Sequence, residues 1–264
     1  MPNIQQSIID YENMLLVAAR YSGNKEPGKK KFSASMLGSD PLQNFLKFKH
    51  GSRDAIQFEA NTLGSIYQLG VDEAANKWDK DRTPEASQYI SGLREEIELP
   101  NGWVVSGEMD QIDQFNKVII DNKVTTATTL AKIKSEGKMH QYALQLSVYK
   151  WLMSKLDPGT EYATVIPLID KSFSYFKPIK NNQLEFVEVE TYSPDEIEKM
   201  LIEKTDELQQ FIDLDVEPDQ CSNLFLYGRK GQPVKKMKCL HYCDFAKHCK
   251  YFNDHSALKN ILDL

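Results

Sequence analysis

"GEMDQIDQFNKVIIDNKVTT", Gly107 to Thr126, sets two aspartates among residues that otherwise read as strand. Apolar residues alternate with polar ones before and after a break at Phe115 and Asn116, which predicts an antiparallel hairpin. With the turn centred there, Asp110 stands opposite Asp121 and Glu108 opposite Lys123, since the members of each pair lie equally far from the centre. Side chains alternate along a strand, so Asp121 and Lys123 share one face. The two aspartate Cβ atoms then sit roughly 5 Å apart, a like-charge pairing that is unfavourable unless a cation lies between them.

Two carboxylates at that separation suit Mg²⁺ or Mn²⁺, which take oxygen ligands and keep several waters. A lysine on the same face can hold or deprotonate a water at such an ion. Metal-assisted phosphodiester hydrolysis needs these parts: a Lewis acid, an activated water and a cation for developing charge. The alternative is a surface hairpin whose acids face solvent.

Downstream, "GKMHQYALQLSVYKWLMSKL" from Gly137 to Leu156 predicts a long amphipathic helix closed by Asp157, Pro158 and Gly159. Gln141, Gln145 and Tyr149 recur at four-residue spacing as a polar stripe, and Met139, Leu146, Trp151 and Leu152 mark the other face. By itself the stripe describes a solvated face. Beside the hairpin, a glutamine there can orient Lys123 or touch a phosphate. Strands are expected over Tyr162 to Ile169, Phe173 to Phe176 and Leu184 to Thr191. Ser193, Pro194 and Glu196 then open a helix expected to reach Asp213, with Ser as N-cap, Pro first and Glu third.

Upstream, the first 75 or so residues read mainly as helix, interrupted by "GNKEPGKKKFSASMLGSDP", where Gly, Pro, Ser and Lys gather. Ser35 or Ser39 is the expected cap of the helix that follows. Leu63, Ile66, Tyr67, Val71 and Ala74 give Phe58 to Ala75 a helical period, and a strand period sets in from Leu93.

The 264-residue chain is 41% hydrophobic and 27% charged, enough for a sizeable core. No run approaches the ~18 apolar residues of a membrane span, and the first residues lack the basic-then-apolar order of a signal peptide. A cytoplasmic location is the expectation. The net charge of −6 argues against a broadly basic surface. Cations are local instead, in "GKKKF" at Gly28 to Phe32 with Lys47, Lys49 and Arg53, and in "GRKGQPVKKMK" at Gly228 to Lys238. All four cysteines, Cys221, Cys239, Cys243 and Cys249, fall in the last quarter of the chain. Thiols so clustered in an intracellular protein point to a metal rather than to disulfides.

The series "GEMDQID", "IIDNK" and "QLSVY" resembles the G-x-x-D, D-x-K and Q-x-x-x-Y motifs of the PD-(D/E)XK nuclease superfamily, in its RecB-like exonuclease branch. The resemblance covers most of the chain. It implies an α/β fold, a mixed central sheet flanked by helices as in restriction endonucleases. A helical segment would occupy residues 1–30, the nuclease domain 31–215 and a cysteine-rich metal-binding tail 216–264. Asp110, Asp121 and the Asn122 carbonyl would hold Mg²⁺ or Mn²⁺, Lys123 would be the catalytic lysine, and Gln145 and Tyr149 its supporting pair. "EANTLGSIYQ" resembles the family's G-x-x-x-H helix with one departure, Gln68 where the family has a histidine ligand. Glu59 on that helix is a further oxygen donor, acting through water, or a surface residue.

The tail resembles the cysteine-rich ends of RecB-like nucleases, which include the CRISPR-associated iron–sulfur nucleases. Here the last three cysteines are spaced C-x₃-C-x₅-C and the fourth, Cys221, is local. A 4Fe–4S cluster and a four-thiolate Zn²⁺ site both fit, with His241 or His248 able to replace one thiol. The expected activity is metal-dependent exonuclease cleavage of DNA at ends or in single strands. By analogy it would serve viral or mobile-element recombination and repair, beside a helicase or recombinase partner. The alternatives are a DNA-binding or assembly protein of this fold that has lost catalysis, and an RNA-directed nuclease.

Overall fold

A computed structural model of the chain describes residues 27–51, 58–79, 87–125, 127–170, 184–221, 225–227, 233–235, 243, 245 and 248–253. In chain order the elements are β1 (Lys31–Ser33), a 3-10 turn (Ala34–Met36), α1 (Pro41–His50), α2 (Phe58–Trp78), β2 (Tyr89–Glu98), β3 (Val104–Asp113), β4 (Val118–Ile120) and β5 (Lys123–Thr125). There follow α3 (Ala127–Glu136), a second 3-10 turn (Gly137–Met139), α4 (Gln141–Leu156), β6 (Ala163–Asp170), β7 (Leu184–Glu188), α5 (Pro194–Asp213), β8 (Phe225–Tyr227), β9 (Pro233–Lys235) and α6 (Lys250–Asn253). The chain divides into two compact units. One holds Lys31–Ser39 and Leu63–Asp206; the other holds Asp40–Thr62 and Glu207–Leu264 with the residues before Lys31.

The first unit contains the expected mixed sheet with helices about it. Its strand order is β1-β3-β4-β6-β5, with β2 on β3 and β7 on β6. β2 and β4 run antiparallel to β3, while β1 runs parallel to it. β4 and β5 both run parallel to β6. They keep a single register on that strand, Val118↔Ala163 and Lys123↔Leu168, so they are two stretches of one strand path interrupted at Asp121 and Asn122.

β3 is an interior strand, paired with β2 along one edge and with β1 and β4 along the other, and it is buried along most of its length. Val105, Met109 and Ile112 from β3 join Ile119, Ile166, Leu146 and Leu152 in the core. α4 can lie this close to β3 because Gly107 has no side chain: a Cβ there would come within 2.6 Å of Leu152 Cδ1 and 2.9 Å of Tyr149 Cε1. This is the physical reason for a glycine three residues before Asp110. Gly107→Ala is expected to cost about 1–3 kcal/mol through overpacking, read as a lower urea midpoint, and to displace the Tyr149 ring. An unchanged midpoint would mean that α4 yields freely.

α5 begins as the sequence indicates. Ser193 N–H donates to Glu196 Oε2 at 2.8 Å and Glu196 N–H to Ser193 Oγ at 3.4 Å, a reciprocal capping pair ahead of Pro194. Trp151 Nε1 donates to Glu198 at 2.9 Å, and Lys155 pairs with the same carboxylate at 2.6 Å, tying α4 to α5.

Three expectations are corrected. The helix after the Ser-rich break is preceded by Asp40 at the N-cap with Pro41 first, rather than by Ser35 or Ser39, because Ser39 Oγ instead donates to the Ser35 carbonyl. The break itself holds a strand, β1, which no alternation announces in three residues. The helix expected from Gly137 starts at Gln141, since Gly137–Met139 is a 3-10 turn and His140 sits in extended backbone as N-cap, its Nδ1 accepting from Tyr142 N–H. The strand expected over Phe173 to Phe176 lies outside the described residues. Among the described residues no helix is long and apolar enough to cross a membrane.

Candidate active site

The β3–β4 ladder pairs Asp113 with Val118, Ile112 with Ile119 and Gln111 with Ile120. Extending that register by one residue would set Asp110 opposite Asp121, the alignment the hairpin symmetry gives, but the ladder stops one pair earlier. Beyond it the strand stays with β6, where Asp121 N–H donates to the Val165 carbonyl at 3.1 Å. β3 and the β4–β5 path therefore fork at the two aspartates. Asp110 bridges the fork with its side chain: Oδ2 accepts the Asn122 backbone N–H at 2.7 Å.

The fork overturns one expected pairing. Glu108 does not face Lys123; it lies opposite Arg94 on β2, with the guanidinium 3.8 Å away, and Lys123 lies opposite Leu168 on β6. The hairpin symmetry holds only as far as the ladder runs.

Lys123 Nζ is 2.6 Å from Asp121 Oδ2. Asp121 is 0% exposed, and among the described residues no N–H or O–H hydrogen bonds its other oxygen, Oδ1. Burial first, and then the neighbouring Asp121 charge, push the Asp110 carboxyl up to about 7 against the pull of Lys123 and the Asn122 N–H. Burial pulls the Lys123 ammonium down, but the fields of Asp121 and Asp110 outweigh it and hold the group above its ordinary range. Tyr149, buried behind the pair, has its phenol well above the usual value through burial and then through Asp121 and Asp110. Two carboxylates share one ammonium here, leaving the cluster short of positive charge.

That shortage and the unpartnered Asp121 oxygen fit a hard divalent cation. Among the described residues no three His, Cys, Asp or Glu side chains are grouped to hold a metal, so the acidic side chains gathered at the fork are the two carboxylates of Asp110 and Asp121. Mg²⁺ accepts such a set because it is commonly bound through one or two carboxylates and retains waters.

Of the polar stripe on α4, Gln145 and Tyr149 join each other and Gln141 does not. Gln145 Nε2 donates to Tyr149 Oη at 2.6 Å. Gln141 is exposed, and the aromatic ring beside Lys123 is that of Tyr142, 5.2 Å from Nζ. Tyr142 stands three residues before Gln145, a helical spacing that could have identified it. Gln68 from α2 also reaches the site: its Oε1 accepts from Asn122 Nδ2 at 3.1 Å, and its Nε2 donates to Asp72 Oδ1 at 2.8 Å. Tyr67, next to Gln68, has its phenol raised by burial and by the Asp110 charge. The Glu59 side chain lies outside the described residues.

No family model matches the chain, and no curated protein matches it. Solved structures do match. The chain is similar to the protein SSO0001 at a TM-score of 0.56 and 16% identity, over 91% of this chain and 96% of that one. It is also similar to a phage-related exonuclease from Haemophilus somnus 129PT at a TM-score of 0.41 and 17% identity, over 70% of this chain and 94% of that one. At 16% identity the likeness to SSO0001 speaks for the fold alone.

In the second unit, Cys243 and Cys249 are buried with Leu42, Leu46 and Phe245, and Cys221 packs against them. Gln43 Nε2 approaches Cys243 Sγ at 3.9 Å. The His248 ring stacks on His50 with centroids 4.1 Å apart. Cys239 and His241 lie outside the described residues, as does most of the basic run from Gly228 to Lys238.

Proposed function

We propose that the protein is a metal-dependent nuclease that hydrolyses phosphodiester bonds of DNA, at ends or in single strands. The observation that supports this reading is the fork at Asp110 and Asp121, which gathers two carboxylates and Lys123 and leaves Asp121 Oδ1 without a donor among the described residues. Asp110, Asp121 and the Asn122 carbonyl are the proposed holders of the ion. When bound, Mg²⁺ or Mn²⁺ supplies Lewis-acid stabilisation to the phosphoryl oxygens.

The chain's own groups do the rest. Lys123 keeps its proton while both carboxylates face it, so its contribution in that state is a fixed positive charge for the developing phosphorane and a donor to a water. Tyr149, its phenol held protonated, braces Gln145 on the same side of the helix. Gly107 sets the depth at which this pair stands behind Asp110.

End-labelled single- and double-stranded DNA incubated with Mg²⁺, Mn²⁺ or EDTA tests the proposal. Shortened products in the first two and none in EDTA are expected. DNA bound but never cut would favour a protein that kept the fold after losing catalysis, and cleavage confined to RNA would redirect the substrate.

The tail is proposed to hold a second metal on Cys221, Cys239, Cys243 and Cys249. The packing of three of these around one apolar cluster supports it. Protein purified without oxygen is expected to contain either a brown 4Fe–4S cluster or colourless Zn²⁺, and Cys243→Ser to lose that metal and melt at lower temperature, since structural metal binding is folding free energy. Four freely titrating thiols and no metal would remove the tail site while leaving the fork untouched.

A further inference from the structure

We infer that Asp72 is a positioning residue of the candidate active site, acting through Gln68 on Asn122; this rests on the metal-dependent reading above. The direction of each bond in the relay is fixed by chemistry. An ionised carboxylate only accepts, so the Gln68 amide must turn its NH₂ to Asp72, at 2.8 Å. Its Oε1 is thereby committed to the Asn122 side-chain NH₂, at 3.1 Å. Without Asp72 the Gln68 and Asn122 amides could turn over together, since a joint flip still leaves one N–H···O bond between them, and the link would lose its orientation.

Asn122 is where such a restraint has most effect. It stands between Asp121 and Lys123, and its backbone N–H holds Asp110 Oδ2 at 2.7 Å. The β3 ladder ends at Ile120, so this stretch has only its bonds to β6 and to side chains to fix it. Asp72 lies one turn beyond Gln68 on α2, the spacing at which two helical side chains meet. The relay therefore runs from a fixed charge on a helix to the residue that touches both aspartates. It also gives Gln68 a task in this chain: an oriented link between α2 and the fork.

The test uses the full chain and two readouts, calorimetric titration with Mn²⁺ and the Mn²⁺ dependence of DNA cleavage. Asp72→Ala and Gln68→Ala are each expected to weaken Mn²⁺ binding about 10-fold, the lower end of what loss of an outer partner costs a metal site. Cleavage at saturating Mn²⁺ should change far less. The double variant should be no weaker than Gln68→Ala alone, because both changes cut the same chain. Gln68→Glu combined with Asp72→Asn keeps both hydrogen bonds and the net charge, and should recover most of the affinity. Losses that add in the double variant, or an Asp72→Ala protein binding Mn²⁺ as wild type does, would overturn the relay. Asp72→Asn, closer in shape, serves if the alanine variant melts early. A wild-type protein that binds no Mn²⁺ and cuts no DNA would refute the nuclease reading and the relay together, whereas binding with cleavage but no Asp72 effect refutes the relay alone.

Discussion

Asp110→Asn is expected to abolish DNA cleavage and, in EDTA at pH 8, to make the protein more stable than wild type. The activity loss follows from removing a proposed metal ligand, and about 100- to 1,000-fold is the scale for losing one charge-stabilising group. The stability gain comes from the same carboxyl. Its folded-state value of about 7 lies above the ordinary 3.8, so the folded protein binds this proton more tightly than the unfolded chain does. The stability it contributes is complete below about pH 4 and is lost as pH rises through about 7, at about 1.4 kcal/mol for each tenfold difference in proton affinity. Asparagine cannot ionise and keeps an oxygen for the Asn122 N–H. Its advantage over wild type should therefore be largest at pH 8 and shrink towards pH 4. Urea melts at the two pH values measure it, and a variant less stable than wild type at pH 8 would show that Asp110 is not under electrostatic strain.

Lys123→Met should have the opposite sign on stability with an equal loss of activity. Removing the ammonium leaves Asp121, 0% exposed, as a buried charge beside a second carboxyl with no cation between them. Breaking a buried pair from one side costs about 3–5 kcal/mol, and the EDTA-treated variant should lose that much in urea. Added Mg²⁺ should then stabilise it more than it stabilises wild type, because the carboxylates no longer share a protein cation and a ligand that binds only the folded state raises stability with its affinity. Equal Mg²⁺ effects on both proteins would place the ion elsewhere.

The sequence made the fork partly visible. Alternation and a turn at Phe115 and Asn116 located Asp110 against Asp121, because antiparallel symmetry holds up to the last rung and both residues lie next to it. The error over Glu108 came two residues further out. A parallel partner, β6, captures the strand there, and non-local pairing of that kind leaves no mark in local alternation. Helix α5 was legible to the residue because its cap is written in Ser193, Pro194 and Glu196. β1 was not, since three residues cannot display a period and its partner lies some seventy positions away. Among the residues proposed for the site, those in the D-x-K and Q-x-x-x-Y series are the ones that sequence motifs single out. Asp72 and Tyr67 could not, because their place depends on how α2 lies over the fork.

The bond from Asn122 N–H to Asp110 Oδ2 stands where a strand would ordinarily continue its ladder. A backbone amide has been handed to a carboxylate that is raised towards neutral pH and is proposed to hold the ion. The chemical shift of that single amide should therefore track the site's occupancy: one position with the carboxyl protonated, another with it ionised, a third with the ion bound. In a ¹⁵N-labelled sample Asn122 is a built-in indicator, able to report cation binding in a protein to which no dye, substrate or substitution has been added.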